Sequence, residues 1–182
     1  NLTSKFSSGG ALSEISDPRG NRLTFGYTGG LLTEVSDSFG KSLSIQYNTD
    51  NRISSVTDAK NQSTLYEYTS GDLTKVTYPD SNSVSYAYSN HKLTDKYDTS
   101  NNLIGHWDYD GNGRVITYYS HLESGAPQNR IDVSYGFLTT ALTNSKGTTT
   151  HTVGVVGGIG VVKEIAGCST CGSLNKRFAY TN

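Results

Sequence analysis

Between residues 23 and 109, apolar and polar side chains alternate in short runs that return at a fixed interval. Leu23-x-Phe25-x-Tyr27, Leu43-x-Ile45-x-Tyr47 and Val84-x-Tyr86-x-Tyr88 are full runs, and Trp107-x-Tyr109 is a shorter one. Small or polar residues fill the positions between. A period of two with β-branched and aromatic residues predicts strands with one apolar and one wet face. The closing tyrosines, Tyr27, Tyr47, Tyr68, Tyr88 and Tyr109, stand 20, 21, 20 and 21 residues apart.

A second pattern runs in phase with the first. An aliphatic residue is followed five positions later by an aspartate: Leu12 by Asp17, Leu32 by Asp37, Ile53 by Asp58, and Leu93 by Asp98. In the remaining copy Leu73 leads instead to Tyr78, with Pro79-Asp80 next. Asp17-Pro18-Arg19-Gly20, Asp37-Ser38-Phe39-Gly40 and Asp58-Ala59-Lys60-Asn61 have turn chemistry, ending on residues that tolerate positive φ. Thr28-Gly29-Gly30, Asn48-Thr49-Asp50-Asn51, Ser70-Gly71-Asp72 and Ser89-Asn90-His91 separate one copy from the next. Each copy, such as Leu32–Tyr47, therefore reads as a hairpin, and the linkers join the hairpins into a continuous antiparallel meander. A single hairpin is not stable in water, so neighbouring copies must supply its burial. Leu32 and Val35 have opposite parity, which requires a bulge or a strong twist in the first strand of the copy.

The rhythm loosens after Tyr109. Tyr135 follows 26 residues later, across His121–Asn129, which reads as an enlarged hairpin loop. Thr139–Asn144 and Thr148–Val153 predict another strand pair, and the glycine–valine tract Val153–Val162 predicts one or two more. Phe178-Ala179-Tyr180-Thr181-Asn182 echoes Phe25-Gly26-Tyr27-Thr28-Gly29. The expected division is a regular array over 1–110 and divergent repeats over 111–182 on the same sheet.

Composition supports an all-β chain and excludes several functions. Hydrophobic residues make up 34%, with 13 Tyr, one Trp and no Met. That is too rich in Tyr and Thr for disorder and too poor in Ala, Glu and Leu for helices. Fifteen basic and 16 acidic side chains leave a net charge of −1, without the basic patch a nucleic-acid partner requires. The longest apolar run, Val153–Val162, is far too short to span a membrane as a helix. The absence of Met and the mid-repeat phase of both ends predict a processed product or an excerpt of a longer array.

Tyr109-Asp110-Gly111-Asn112-Gly113-Arg114, the closing tyrosines and the Asp-led turns resemble the YD repeats of Rhs proteins, teneurins and the shell subunits of Tc insecticidal toxins. The resemblance is clear over residues 11–119, weaker to 135 and partial to 182. It implies tandem YD-repeat hairpins whose ribbon curls into a shell, tube or fibre. In that family the shell encloses a C-terminal toxin or effector domain, or serves as an extracellular scaffold. Asp17-Pro18-Arg19-Gly20 matches a tetrapeptide of the family's self-cleavage region, but it occupies an ordinary turn position and lacks that region's hydrophobic surroundings.

No constellation points to catalysis. Asp108-x-Asp110-x-Asn112-Gly113 imitates half of a calcium loop, yet Tyr119 stands where the loop needs a glutamate, so the stretch reads as a turn. Cys168 and Cys171 are candidates for a local disulfide, for two free thiols, or for half of a metal site completed by another chain. Glu34 and Asp37 are turn-region carboxylates that nothing singles out as a pair. No cofactor is expected. The expected function is structural: a segment of a large extracellular or cell-surface protein that forms an encapsulating shell or a filament scaffold. Its repeat-defining residues are the five tyrosines with Asp17, Asp37, Asp58 and Asp98. Expected partners are further repeats or copies of the chain, paired through sheet edges, and an enclosed effector domain. The alternative is a carbohydrate-binding or adhesive module that stacks glycans on the aromatic stripe.

Overall fold

The computed structural model describes residues 1–156, 159–167 and 176–179. They are strands and turns without a helix, in two compact units, Asn1–Ser85 and Tyr86–Asn182.

The first unit contains β1 (Thr3–Phe6), β2 (Leu12–Ser16), β3 (Arg22–Thr28), β4 (Leu31–Asp37), β5 (Ser42–Tyr47), β6 (Ile53–Thr57), β7 (Ser63–Thr69), β8 (Asp72–Thr77) and the start of β9 (Ser83–Ser89). Each strand pairs antiparallel with the next. Two kinds of hairpin alternate. At the linkers, β3 and β4 stay paired from Leu23↔Asp37 to Thr28↔Leu31. Gly29 and Gly30, both at positive φ (59° and 84°), close that pair, as a two-residue turn matched to strand twist demands. Ser70 (51°) and Gly71 (92°) do the same between β7 and β8. At the Asp-led turns, by contrast, β2 and β3 pair only at Glu14↔Thr24, Ile15↔Leu23 and Ser16↔Arg22.

The parity conflict between Leu32 and Val35 is resolved by a bulge. The register steps from Gly26↔Glu34 to Tyr27↔Leu32, which leaves Thr33 without an opposite residue. The same step leaves Ser13 unopposed beside Phe6↔Leu12, Ser54 beside Tyr47↔Ile53, and Thr74 beside Tyr68↔Leu73. Phe6, on a first strand not anticipated from the sequence, thus occupies the tyrosine's place 21 residues before Tyr27.

The alternation sorts the faces as expected. Phe25↔Val35↔Leu43, Ile45↔Val56 and Tyr66↔Val76↔Val84 lie on one face. The other carries hydroxyls and charges: Thr24 Oγ1 and Ser36 Oγ lie 2.7 Å apart, Thr57 Oγ1 and Ser63 Oγ 2.8 Å, and Lys5 Nζ meets Glu14 Oε1 at 2.8 Å. Among the described residues only Ser55, Val76, Gly105 and Thr117 are buried.

The second unit continues with β10 (Lys92–Tyr97), β11 (Leu103–Tyr109), β12 (Val115–Tyr119), β15 (Ile131–Gly136), β16 (Thr139–Asn144), β17 (Gly147–Val156), β18 (Ile159–Gly167) and β19 (Lys176–Arg177). Consecutive members of that series are antiparallel neighbours. The stretch anticipated as one enlarged loop forms its own small hairpin, β13 (His121–Glu123) with β14 (Ala126–Gln128). The glycine–valine tract is the far end of the β17–β18 hairpin, with Val155↔Gly160 and Val156↔Ile159 its last described pairs.

The Asp-led turns depend on one left-handed residue each. Gly40 has φ 83°, and a Cβ placed there would meet nothing within 4 Å. Replacing Gly40 with alanine therefore strains the backbone without creating a clash, and it should cost about 1–2 kcal/mol in denaturant unfolding. Asn61→Gly, at φ 60°, should be close to neutral.

Candidate functional site

The residues that the spacing singles out are directed at the backbone. Where β2 and β3 stop pairing the strands diverge, and Tyr27 spans the gap, its hydroxyl donating to the Leu12 carbonyl at 3.0 Å. Tyr47 donates to Leu32 O at 2.8 Å, Tyr68 to Ile53 O at 2.9 Å and Tyr109 to Leu93 O at 2.7 Å. Tyr135, outside the regular spacing, does the same to Val115 O at 2.8 Å. At Leu12, Leu32, Ile53 and Val115 the acceptor stands one position before the bulge where its strand pairs with the strand before it. Each tyrosine therefore satisfies a carbonyl on the neighbouring strand that the ladder leaves open. Tyr88 lies in β9.

A cation covers three of these rings. Arg52 sits 5.6 Å from the Tyr68 centroid, Lys92 5.7 Å from that of Tyr109, and Arg114 4.3 Å from that of Tyr135. Each cation directly precedes the aliphatic residue whose carbonyl the same tyrosine binds, so one turn supplies both contacts. Arg52 also donates to the Gly71 carbonyl.

Asp17, Asp37, Asp58 and Asp98 build the turns. Asp37 Oδ1 accepts from Phe39 N at 2.8 Å and Lys41 N at 2.9 Å. Equivalent pairs run from Arg19 and Asn21 to Asp17, from Lys60 and Gln62 to Asp58, and from Ser100 and Asn102 to Asp98. Tyr78 takes that place in the odd copy with the same backbone closure, Tyr78 N to Asn82 O at 2.8 Å. Asp80 is there the side-chain acceptor, from Asn82 N at 3.0 Å. Donors aimed at the ionised form lower the carboxyls of Asp37, Asp17 and Asp98: Lys41 N foremost for Asp37, and the Asn21 and Asn102 side chains for Asp17 and Asp98.

Asp17 of the Asp-Pro-x-Gly element is thus committed to its turn. Asp110 likewise accepts from Asn112 N and Arg114 N, both at 2.9 Å, and pairs with the Arg114 guanidinium at 2.8 Å. Among the described residues no cluster of His, Cys, Asp and Glu could hold a metal. Glu34 opposes Ser44 on the polar face, whereas Asp37 opposes Leu23 on the apolar one, so the fold does not bring them together. Cys168 and Cys171 lie outside the described residues.

One titratable group escaped the sequence reading. Asp95, His106 and Tyr119 stand opposite one another across β10, β11 and β12. His106 Nδ1 lies 2.7 Å from Asp95 Oδ1, and Nε2 lies 3.2 Å from Asp108 Oδ1. The imidazole stacks on Tyr119, centroids 4.5 Å apart. Burial works against its charged form, but the hydrogen bonds and charges of the two aspartates prevail and raise its pKa. Asp95 is two residues after Leu93 and His106 three before Tyr109. The same offsets give Glu34 and Ser44 in another copy, so the pair is special only by residue type.

The profile of the Teneurin YD-shell family matches residues 5–151. No curated protein sequence matches the chain. Solved structures do. The Photorhabdus luminescens Tc holotoxin pore carrying the TccC3-D651A mutation matches 97% of this chain and 12% of its own, at 11% identity and a TM-score of 0.63. The crystal structure of TcdB2-TccC3-Cdc42 matches 89% of this chain and 10% of its own, at 14% identity and a TM-score of 0.61. Likeness at such identities concerns the fold, and this chain spans about a tenth of those proteins' length.

Removing single hydroxyls tests the tyrosine contacts. Tyr47→Phe and Tyr68→Phe keep the rings and orphan one carbonyl each, so each should lose about 1 kcal/mol in denaturant unfolding. The carboxyls of Asp17, Asp37 and Asp98 set an acid limit. Their folded pKa values are depressed, so their contribution is present above the ordinary 3.8 and is lost as pH falls through the lowered values. Melting temperature should fall once pH drops below about 4. Asp37→Asn, which keeps an acceptor oxygen but does not titrate, should show a shallower fall.

Proposed function

We propose, since this chain belongs to the teneurin YD-shell family, that it forms part of the wall of a secreted encapsulating shell or extracellular filament scaffold and acts mechanically rather than catalytically. One observation carries the reading: Tyr27, Tyr47 and Tyr68 each bind the opening residue of their own repeat through the hydroxyl and oppose the opening residue of the next through the ladder. Such a unit gains its stability by continuing into neighbours, which is what a wall requires. The near-absence of buried side chains agrees, because a layer this exposed is completed by what lies against its faces. On this reading the five tyrosines and four aspartates define the repeat, residues 1–110 are its regular array and 111–182 a divergent continuation. The partners are further repeats or copies at the sheet edges and an effector domain enclosed by the wall, outside or on the surface of a cell. The glycan-binding alternative draws less support, because the tyrosine hydroxyls are committed to carbonyls and cations lie over the rings of Tyr68, Tyr109 and Tyr135.

Light scattering and negative-stain electron microscopy at rising concentration test the edge pairing. Edge-to-edge arcs or filaments that grow with concentration are expected. Strictly monomeric, isolated particles would remove self-assembly from the proposal, and binding on a glycan array would favour the adhesive alternative.

A further inference from the structure

A neutral imidazole carries one N–H, yet both nitrogens of His106 lie within hydrogen-bonding distance of carboxylate oxygens, Asp95 Oδ1 at 2.7 Å and Asp108 Oδ1 at 3.2 Å. Only the imidazolium donates to both at once. Neutralisation leaves one carboxylate facing a lone pair across the same short gap. His106 and Asp95 are only about one-fifth exposed, whereas Asp108 is half exposed, so the stronger contact is also the better shielded.

The surroundings favour the cation. Tyr97 on β10 and Tyr119 on β12 are held protonated, first by burial and then by the charge of Asp95, so neither competes as an anion with the aspartates for the imidazolium. The Tyr119 ring lies flat against the imidazole, 24° from parallel. The next cation, Arg130 just before β15, is occupied by Asp132, with Nε 3.0 Å from both carboxylate oxygens. Asp132 also accepts from Thr117 Oγ1 at 3.0 Å. His121 on β13, which packs against β11, contacts Ser120 Oγ at 2.9 Å. The charge of His106 is therefore the one within hydrogen-bonding distance of Asp95 and Asp108, with Arg130 adding a weaker attraction on Asp108.

We infer that Asp95, His106 and Asp108 form a pH-sensitive latch in this part of the wall, closed between β10 and β11 when His106 is charged and released when it loses its proton. The sign follows from linkage. The folded pKa is raised, so the latch's contribution is complete below the ordinary histidine value of 6.5 and disappears as pH rises through the folded value. This opposes the acid limit of the turn carboxyls and leaves the segment firmest in mildly acidic surroundings.

The test uses the full chain. Histidine NMR follows the titration of His106, while melting temperatures are recorded from pH 5 to 8.5 for the wild type, His106→Gln, Asp95→Asn and Asp108→Asn. The inference expects His106 to titrate above the ordinary histidine value of 6.5, and the wild type to lose a few degrees over the alkaline half of that range. His106→Gln should lack that loss, and Asp108→Asn should lower the titration of His106 without unfolding the chain. Asp108→Asn keeps the test decisive where a more buried substitution prevents folding. A His106 that titrates at or below 6.5, or an alkaline loss that persists undiminished in His106→Gln, overturns the latch.

Discussion

A backbone carbonyl that its own ladder cannot reach is the constraint on which the repeat depends. The bulge after each opening aliphatic residue brings the tyrosine opposite that residue, while the neighbouring strand on the other side has already diverged. The exposed carbonyl needs a donor several ångströms beyond backbone reach, and a phenol on the next strand provides it. A phenylalanine would fill the same space and leave the carbonyl unpaired. The chemical identity of the tyrosine therefore follows from the bulge, and the bulge from the need to keep Leu32 and Val35 on one face.

The turns obey a related economy. An aspartate at the first position accepts from two backbone amides, and the residue three positions later takes positive φ. Five residues then reverse the chain with their donors satisfied locally, so that end of the hairpin needs no neighbour. The linker end is closed by two residues in the left-handed region at Gly29-Gly30 and Ser70-Gly71, and between β5 and β6 by a turn led by Asn48, with Asn51 at positive φ. With both ends self-contained, dependence on adjacent repeats is confined to the ladders that pair each closing tyrosine with the next opening residue.

The period, the strand alternation, the turns and the need for a bulge at Leu32–Val35 were legible because each is local and repeats. Phe6 in the tyrosine position was equally available at its 21-residue offset, but phenylalanine lacks the hydroxyl signature that drew attention to the others. The carbonyl acceptors were not legible, since they lie 15 or 16 residues upstream and carry no side-chain mark. The small hairpin β13–β14 was hidden by Gly125 and Pro127, which read as loop chemistry. The contact of Asp95 with His106 escaped for a different reason: the two are 11 residues apart in sequence and become neighbours only through the β10–β11 register.

The two faces then differ in how freely they can vary. The tyrosines, the opening aliphatic residues and the apolar row all belong to one side or to the backbone. The polar side bears hydroxyl pairs in one copy, Lys5–Glu14 in another and Asp95–His106–Asp108 in a third. None of these contributes to the tyrosine contact or to the Asp-led turns, so a change there leaves the repeat frame intact. The frame can thus carry different chemistry from one hairpin to the next, and a titratable group placed on the polar side alters the strength of the strands it joins without altering their register.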